Sequence, residues 1–124
     1  MNKNKFREAE LSSGILALAG KNAENNEELV KQVGNNEYVL HTAAPGSPFV
    51  NIKSDIKKVS KEDLKEAAIF CAKYSQAWKK AATKKDVEVH VFLGKDIFKQ
   101  KDMKLGTFGV KKFKSIVVKK GDIV

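Results

Sequence analysis

Residues 60–92, SKEDLKEAAIFCAKYSQAWKKAATKKDVEVHVF, change their apolar period partway along, and that change decides the fold class. Ser60 offers a hydroxyl to a first helical turn, and Asp63 stands at the third helical position, beside the positive end of the helix dipole. Leu64, Ala67, Ala68, Cys71, Ser75, Trp78 and Ala82 then recur at steps of three and four, which predicts one long helix with a single buried face. Its small residues suit close packing on a sheet. From Val87 the period drops to two: Val87, Val89 and Val91 alternate with Glu88, His90 and Phe92, as in a strand with one buried face.

Outward from this stretch, residues 38–42 and 49–53 read as strands around Ala43-Ala44-Pro45-Gly46-Ser47-Pro48, whose two prolines and glycine predict a rigid loop. Residues 6–11 and 15–19 read as a hairpin turning at Ser12-Ser13-Gly14. Asn22 is a good N-cap for a short helix over about 23–33, with Leu29, Val30 and Val33 on its apolar face and Gly34-Asn35 as its stop. Ile97-Phe98 and residues 116–118 add short strands. The order ββαββαββ predicts one α+β domain over residues 1–124, a mainly antiparallel sheet packed against one long and one short helix.

Composition narrows the class. The chain has 124 residues, 42% hydrophobic and 31% charged, enough for one core and a soluble surface. It contains no apolar run long enough to span a membrane, and Met1-Asn2-Lys3-Asn4-Lys5 leads into Phe6-Arg7-Glu8 without an apolar signal core, so a cytoplasmic protein with no membrane partner is expected. Cys71 is the single cysteine, which excludes an internal disulfide and a multi-cysteine zinc site within one chain. On the small-residue helix face it reads as core.

The net charge of +9 favours polyanions. Its placement is uneven: residues 1–56 hold six Lys and Arg against seven Asp and Glu, whereas residues 57–124 hold eighteen Lys against eight. Residues 95–120 alone contain nine lysines with Phe98, Phe108 and Phe113 interleaved. Lysines of this kind neutralise phosphates, and an exposed aromatic stacks on unpaired bases. The phenylalanines are expected mostly in the core.

Gly20-Lys21-Asn22 joins a strand to a helix start, where backbone N–H groups, the helix dipole and a lysine charge suit a phosphate; a tight turn with an N-cap accounts for the same residues. His41, at a strand end before the Pro-Gly loop, suits a phosphate or a base, and Glu37 shares its strand face by parity and is placed to orient the ring. His90 reads as a face residue, and Tyr74 and Trp78 as core or its rim. His41, His90 and Cys71 lack any recognisable ligand spacing, so no metal site is expected, and no cofactor motif or catalytic nucleophile is evident.

Five pieces in order resemble the NFACT-R domain, the RNA-binding domain named for proteins of ribosome-associated quality control. They are Gly20-Lys21-Asn22-Ala23 with Asn26, the segment Glu37-Tyr38-Val39-Leu40-His41, the loop Pro45-Gly46-Ser47, the helix around Ala67-Ala68 to Tyr74-Ser75, and the basic stretch Lys99 to Gly106. Where the family usually carries Asp, Trp and His before the Pro-Gly loop, this chain keeps only His41, with Glu37 and Val39 at the other two positions. The resemblance implies a non-enzymatic protein that binds tRNA or rRNA through backbone phosphates, with the large ribosomal subunit as a candidate partner. It marks Gly20, Lys21, Asn22, Glu37, His41, Pro45, Gly46, Ser47, Lys99, Lys101, Lys104 and Gly106 as the RNA-binding residues. A module docking on a ribosomal or separate partner protein, or an accessory subunit of an RNA-modification system, are the alternatives.

Overall fold

The computed structural model describes residues 5–123. Strands β1 (Arg7–Glu10) and β2 (Leu16–Ala19) form the hairpin expected, because Gly14 takes a φ of 89° that a side chain would disfavour and its N–H closes the turn on the Leu11 carbonyl at 2.8 Å. Helix α1 (Ala23–Lys31) starts where Asn22 accepts from the Asn25 N–H. It ends two residues earlier than the apolar spacing suggests: Gln32 forms the C-cap, with its N–H on the Leu29 carbonyl. Strands β3 (Tyr38–Thr42) and β4 (Val50–Ile52) follow.

Helix α2 (Lys61–Lys73) opens on a complete capping box between Ser60 and Asp63, as the sequence indicates. The expected continuous helix to Ala82 is not formed. Ser75 is fully buried, donates its hydroxyl to the Ala72 carbonyl at 2.7 Å and accepts from the Trp78 N–H, so it closes α2 and caps a separate short helix, α3 (Gln76–Lys79). Ala82 consequently lies beyond both helices and is exposed. Strand β5 (Val87–Leu93) is the alternating strand, β6 (Ile97–Phe98) pairs with β7 (Gly109–Val110) in a separate two-stranded sheet, and β8 (Lys114–Val118) completes the main one.

The six-stranded main sheet runs β1-β2-β4-β3-β5-β8, antiparallel throughout. Alternation sorts its side chains to two faces. Leu40, Val50, Ile52, Val89 and Val91 meet Ala67, Ala68, Cys71 and Ala72 of α2, whose small side chains let the helix approach closely. Leu18, Val39, Phe49 and Phe92 face the other way and pack with Leu29 of α1 and with Phe108 and Val110. The architecture is the α+β class expected. Helices cover both faces, but beyond His90 and Ser115 the second face is left open near β8, where Val117 is 54% exposed.

Candidate nucleic-acid interface

At one end of the sheet the 43–48 loop, the start of α1, α3 and residues 105–110 surround a cavity of about 640 Å³. Its charged lining residues are Arg7, Lys21 and Lys79; among the described residues no Asp or Glu lines it. Aromatic walls come from Phe49, Tyr74, Phe92, Phe108 and Phe113, and His41 and His90 add two imidazoles. The result is a concave, cationic, partly aromatic surface, the combination that holds a phosphodiester chain and its bases.

Eight of the twelve residues marked by the sequence meet here: Gly20, Lys21, Asn22, His41, Pro45, Gly46, Ser47 and Gly106. Several are held for structural reasons. A Cβ on Gly20 would lie 1.9 Å from Asn26 Oδ1, and that same oxygen accepts from the Phe49 N–H at 3.2 Å, so the glycine lets α1 seat against β4. This packing by itself requires a residue without a side chain at Gly20. Ser47 is buried; its hydroxyl accepts from the Thr42 N–H and donates to the Pro48 carbonyl at 2.9 Å. Gly46, at φ 87°, packs on Gln76, whose N–H binds the Gly46 carbonyl at 2.7 Å and so fastens the Pro-Gly loop to the start of α3. Gly106, at φ 79°, lies against Ala23 at the start of α1.

His41 faces the cavity, tilted on Phe49 with ring centroids 4.5 Å apart. Its Nδ1 lies 2.7 Å from the Thr42 carbonyl, so Nδ1 carries the proton and, in the neutral ring, Nε2 is an acceptor. Burial, aided by the neighbouring His90 and only partly offset by the Thr42 contact, holds its pKa below the ordinary 6.5. His41 is thus suited to accept from a ribose hydroxyl or a base N–H rather than to donate to a phosphate.

Glu37 is elsewhere. Its Oε1 accepts from the Gly34 N–H at 2.8 Å, Lys53 Nζ at 2.9 Å and Asn51 Nδ2 at 3.3 Å. Burial pushes this carboxyl up, but the three donors outweigh it and leave it below the usual carboxylate value. The expected partnership with His41 is not formed, because the fully buried Asn51 and the Lys53 ammonium draw the carboxylate to the start of β3.

In the basic stretch, Lys99 has partners within its own chain. Lys99 Nζ donates to Glu27 Oε2 at 2.5 Å and to the carbonyls of Lys104 at 2.6 Å and Thr107 at 2.7 Å, and it sits 4.6 Å from the Phe108 ring centroid. The Lys99 hydrogen bond, opposed by burial and helped by the Gly106 N–H, holds the Glu27 carboxyl below its ordinary value. Lys99 therefore ties the 99–107 loop to α1. Lys101 and Lys104 are exposed and stand outside the cavity lining.

Other contributors were not marked by the sequence. Arg7 donates to the Gly20 carbonyl at 3.2 Å and lies over the Tyr74 ring, 4.4 Å from its centroid, with Lys73 and Lys79 within 6 Å of the same ring. Tyr74 belongs to this cationic wall rather than to the core. His90, paired across the sheet with His41, stacks on Phe113 at 3.9 Å and 19°. The phenylalanines expected in the core are not buried: Phe98 and Phe108 are half-buried, Phe108 packing against the second cluster, and Phe113 is 52% exposed, since it falls between β7 and β8 on the open part of the second face. Cys71 is core as expected, its thiol pushed up to about 12 by burial. Among the described residues no group of three His, Cys, Asp or Glu could hold a metal, and no helix is long and apolar enough to cross a membrane.

Three comparisons bear on this surface. The family model described as the NFACT protein RNA binding domain matches residues 5–112. A 68-residue stretch is 40% identical to the archaeal Rqc2 homolog aRqcH of Methanocaldococcus jannaschii, over 54% of this chain and 10% of that protein. The fold is similar, with a TM-score of 0.82 and 23% identity, to the C-terminal part of the fibronectin/fibrinogen-binding protein of Streptococcus suis, over 99% of this chain and 49% of that one. The chain thus corresponds to about half or less of either relative.

Proposed function

The chain belongs to the NFACT protein RNA binding domain family, and from that premise we propose that it binds structured RNA, tRNA or rRNA, through backbone phosphates held in the cavity between the 43–48 loop and α1. One observation carries this reading: Arg7, Lys21 and Lys79 converge from three separate elements on a cavity of about 640 Å³ that no described carboxylate lines. Lys21 and Asn22 at the start of α1 meet one phosphate, where the helix dipole adds to the lysine charge. Pro45 and Gly46 form the opposite rim, and His41 Nε2 accepts from a ribose hydroxyl. Lys101 and Lys104 contribute long-range attraction from outside. Glu37, Ser47, Gly20, Gly106 and Lys99 act through the architecture, by the contacts described above.

The chain works as a binding domain rather than an enzyme, as one unit over residues 1–124, in the cytoplasm and in association with the large ribosomal subunit. Its side chains suit that role: the Cys71 thiol is buried and protonated, and His41 has Nδ1 committed to a backbone carbonyl. The test is a titration of labelled tRNA and rRNA fragments across a range of salt concentrations. The logarithm of the affinity should fall with the logarithm of salt at about 0.7 to 0.9 per phosphate contacted. Affinity that ignores salt would end the phosphate-based reading and favour docking on a protein.

A further inference from the structure

We propose that the cavity admits an unpaired nucleotide whose base stacks on Phe113. The inference rests on the RNA-binding reading and specifies the class of RNA that the site takes. Phe113 is 52% exposed although it is a large apolar ring, and among the described residues the ring stacked on it is His90, at 3.9 Å and 19°. The imidazole is itself steadied, with Nε2 3.4 Å from Glu88 Oε2, and that carboxylate also accepts from Ser115 Oγ. Glu88 meets the edge of His90 and leaves its face to Phe113. The phenyl ring is thereby supported by one stacked neighbour while about half of the residue stays exposed, at the margin of a cavity that it helps to line.

A flat, supported aromatic face suits a nucleobase. A duplex presents phosphates and groove edges but keeps its base faces stacked inside, so only an unpaired base can use this surface. The setting also selects RNA over an apolar protein side chain. Phe113 follows Lys111 and Lys112 and precedes Lys114, all exposed, and the adjoining cavity offers Arg7, Lys21 and Lys79 without a described carboxylate in its lining. The backbone phosphates on either side of a stacked base therefore meet cations.

The test uses the full chain and two probes of the same sequence: a single-stranded RNA carrying 2-aminopurine, whose fluorescence falls on stacking, and that strand annealed into a duplex. Wild-type protein should bind the single strand and quench it. Phe113→Ala should weaken single-strand binding by about 5- to 150-fold and abolish quenching. Duplex binding should change by less than about twofold, because the side chain is exposed and its loss leaves no cavity. Phe113→Tyr, which keeps the ring, should behave as wild type. Equal losses on both probes, or quenching that survives Phe113→Ala, would overturn the stacking role while leaving RNA binding standing. Failure of wild type to bind either probe would overturn the RNA-binding reading with it.

Discussion

Two basic regions adjoin each other, the loop that carries Lys99, Lys101 and Lys104 and the cavity to which Arg7, Lys21 and Lys79 contribute, and their charges are employed differently. In the loop, Lys99 places its ammonium among a carboxylate and two carbonyls of its own chain. An ammonium has three protons to donate, and Lys99 has committed them to holding the loop on α1. In the cavity, cations from β1, the start of α1 and α3 converge without any described carboxylate between them. Local density of lysine in the sequence thus marks the loop, whereas convergence in space marks the cavity. A charge surrounded by carboxylate and carbonyl oxygens of its own chain holds the protein together; like charges gathered on the lining of one cavity attract an anion.

The widest separation between the two regions should come from the cavity itself. Replacing Lys21 and Lys79 together by Gln should lower RNA affinity by a factor on the order of 100, taking about 1.5 kcal/mol for each charge-assisted contact. The salt slope should become shallower by about 1.4 on a single strand. Equilibrium binding at several salt concentrations checks both, and unchanged values would show that the cavity cations do not hold RNA.

Lys99→Met should act on stability instead, costing about 1–3 kcal/mol because Glu27 and two carbonyls lose their common donor. Thermal or denaturant unfolding measures it. The effect has a direction with pH. Since Lys99 holds the Glu27 carboxyl below its ordinary value of 4.5, the stabilisation is complete above that value and is lost as pH falls through the folded one. The gap between wild type and Lys99→Met should therefore narrow in acid, towards the share carried by the two carbonyls; a gap that stays constant through the acid range in which the folded protein persists would show that Glu27 does not depend on Lys99.

The smallest effect is expected for Lys101→Gln with Lys104→Gln. Both side chains are exposed, so stability should move by less than about 0.5 kcal/mol. RNA affinity should fall by no more than about threefold at moderate salt, through weakened long-range attraction. A loss as large as that of the cavity pair would place bound RNA on the loop.

The elements that depend on local chemistry were legible in the sequence. Asn22 and Ser60 cap helices, Gly14 turns a hairpin and Val87 to Phe92 alternate, because each of these signals acts within a few residues. Ser75 was misread because serine fits a helix face in pattern while its hydroxyl can also terminate the helix. The cavity was legible in the segments that its glycines and Pro-Gly loop punctuate. It was not legible where it depends on distant partners: Arg7 lies over Tyr74 from the other half of the chain, and Lys99 reaches Glu27 across 72 positions. Nor does spacing distinguish Phe108, packed edge-on to Phe49, from Phe113, which is left in the open.

Strand β8 closes one side of the main sheet and among the described residues pairs with β5 alone, so its outer backbone groups present a template on which a second chain could extend the sheet. Val117 in its middle would favour such growth. Lys112 and Lys114 at one end and Lys119 and Lys120 at the other oppose it, since two such borders brought together would confront rows of like charge. These four lysines therefore guard the edge against aggregation whatever else they hold, and variants that neutralise them should be judged first by whether the protein stays in solution.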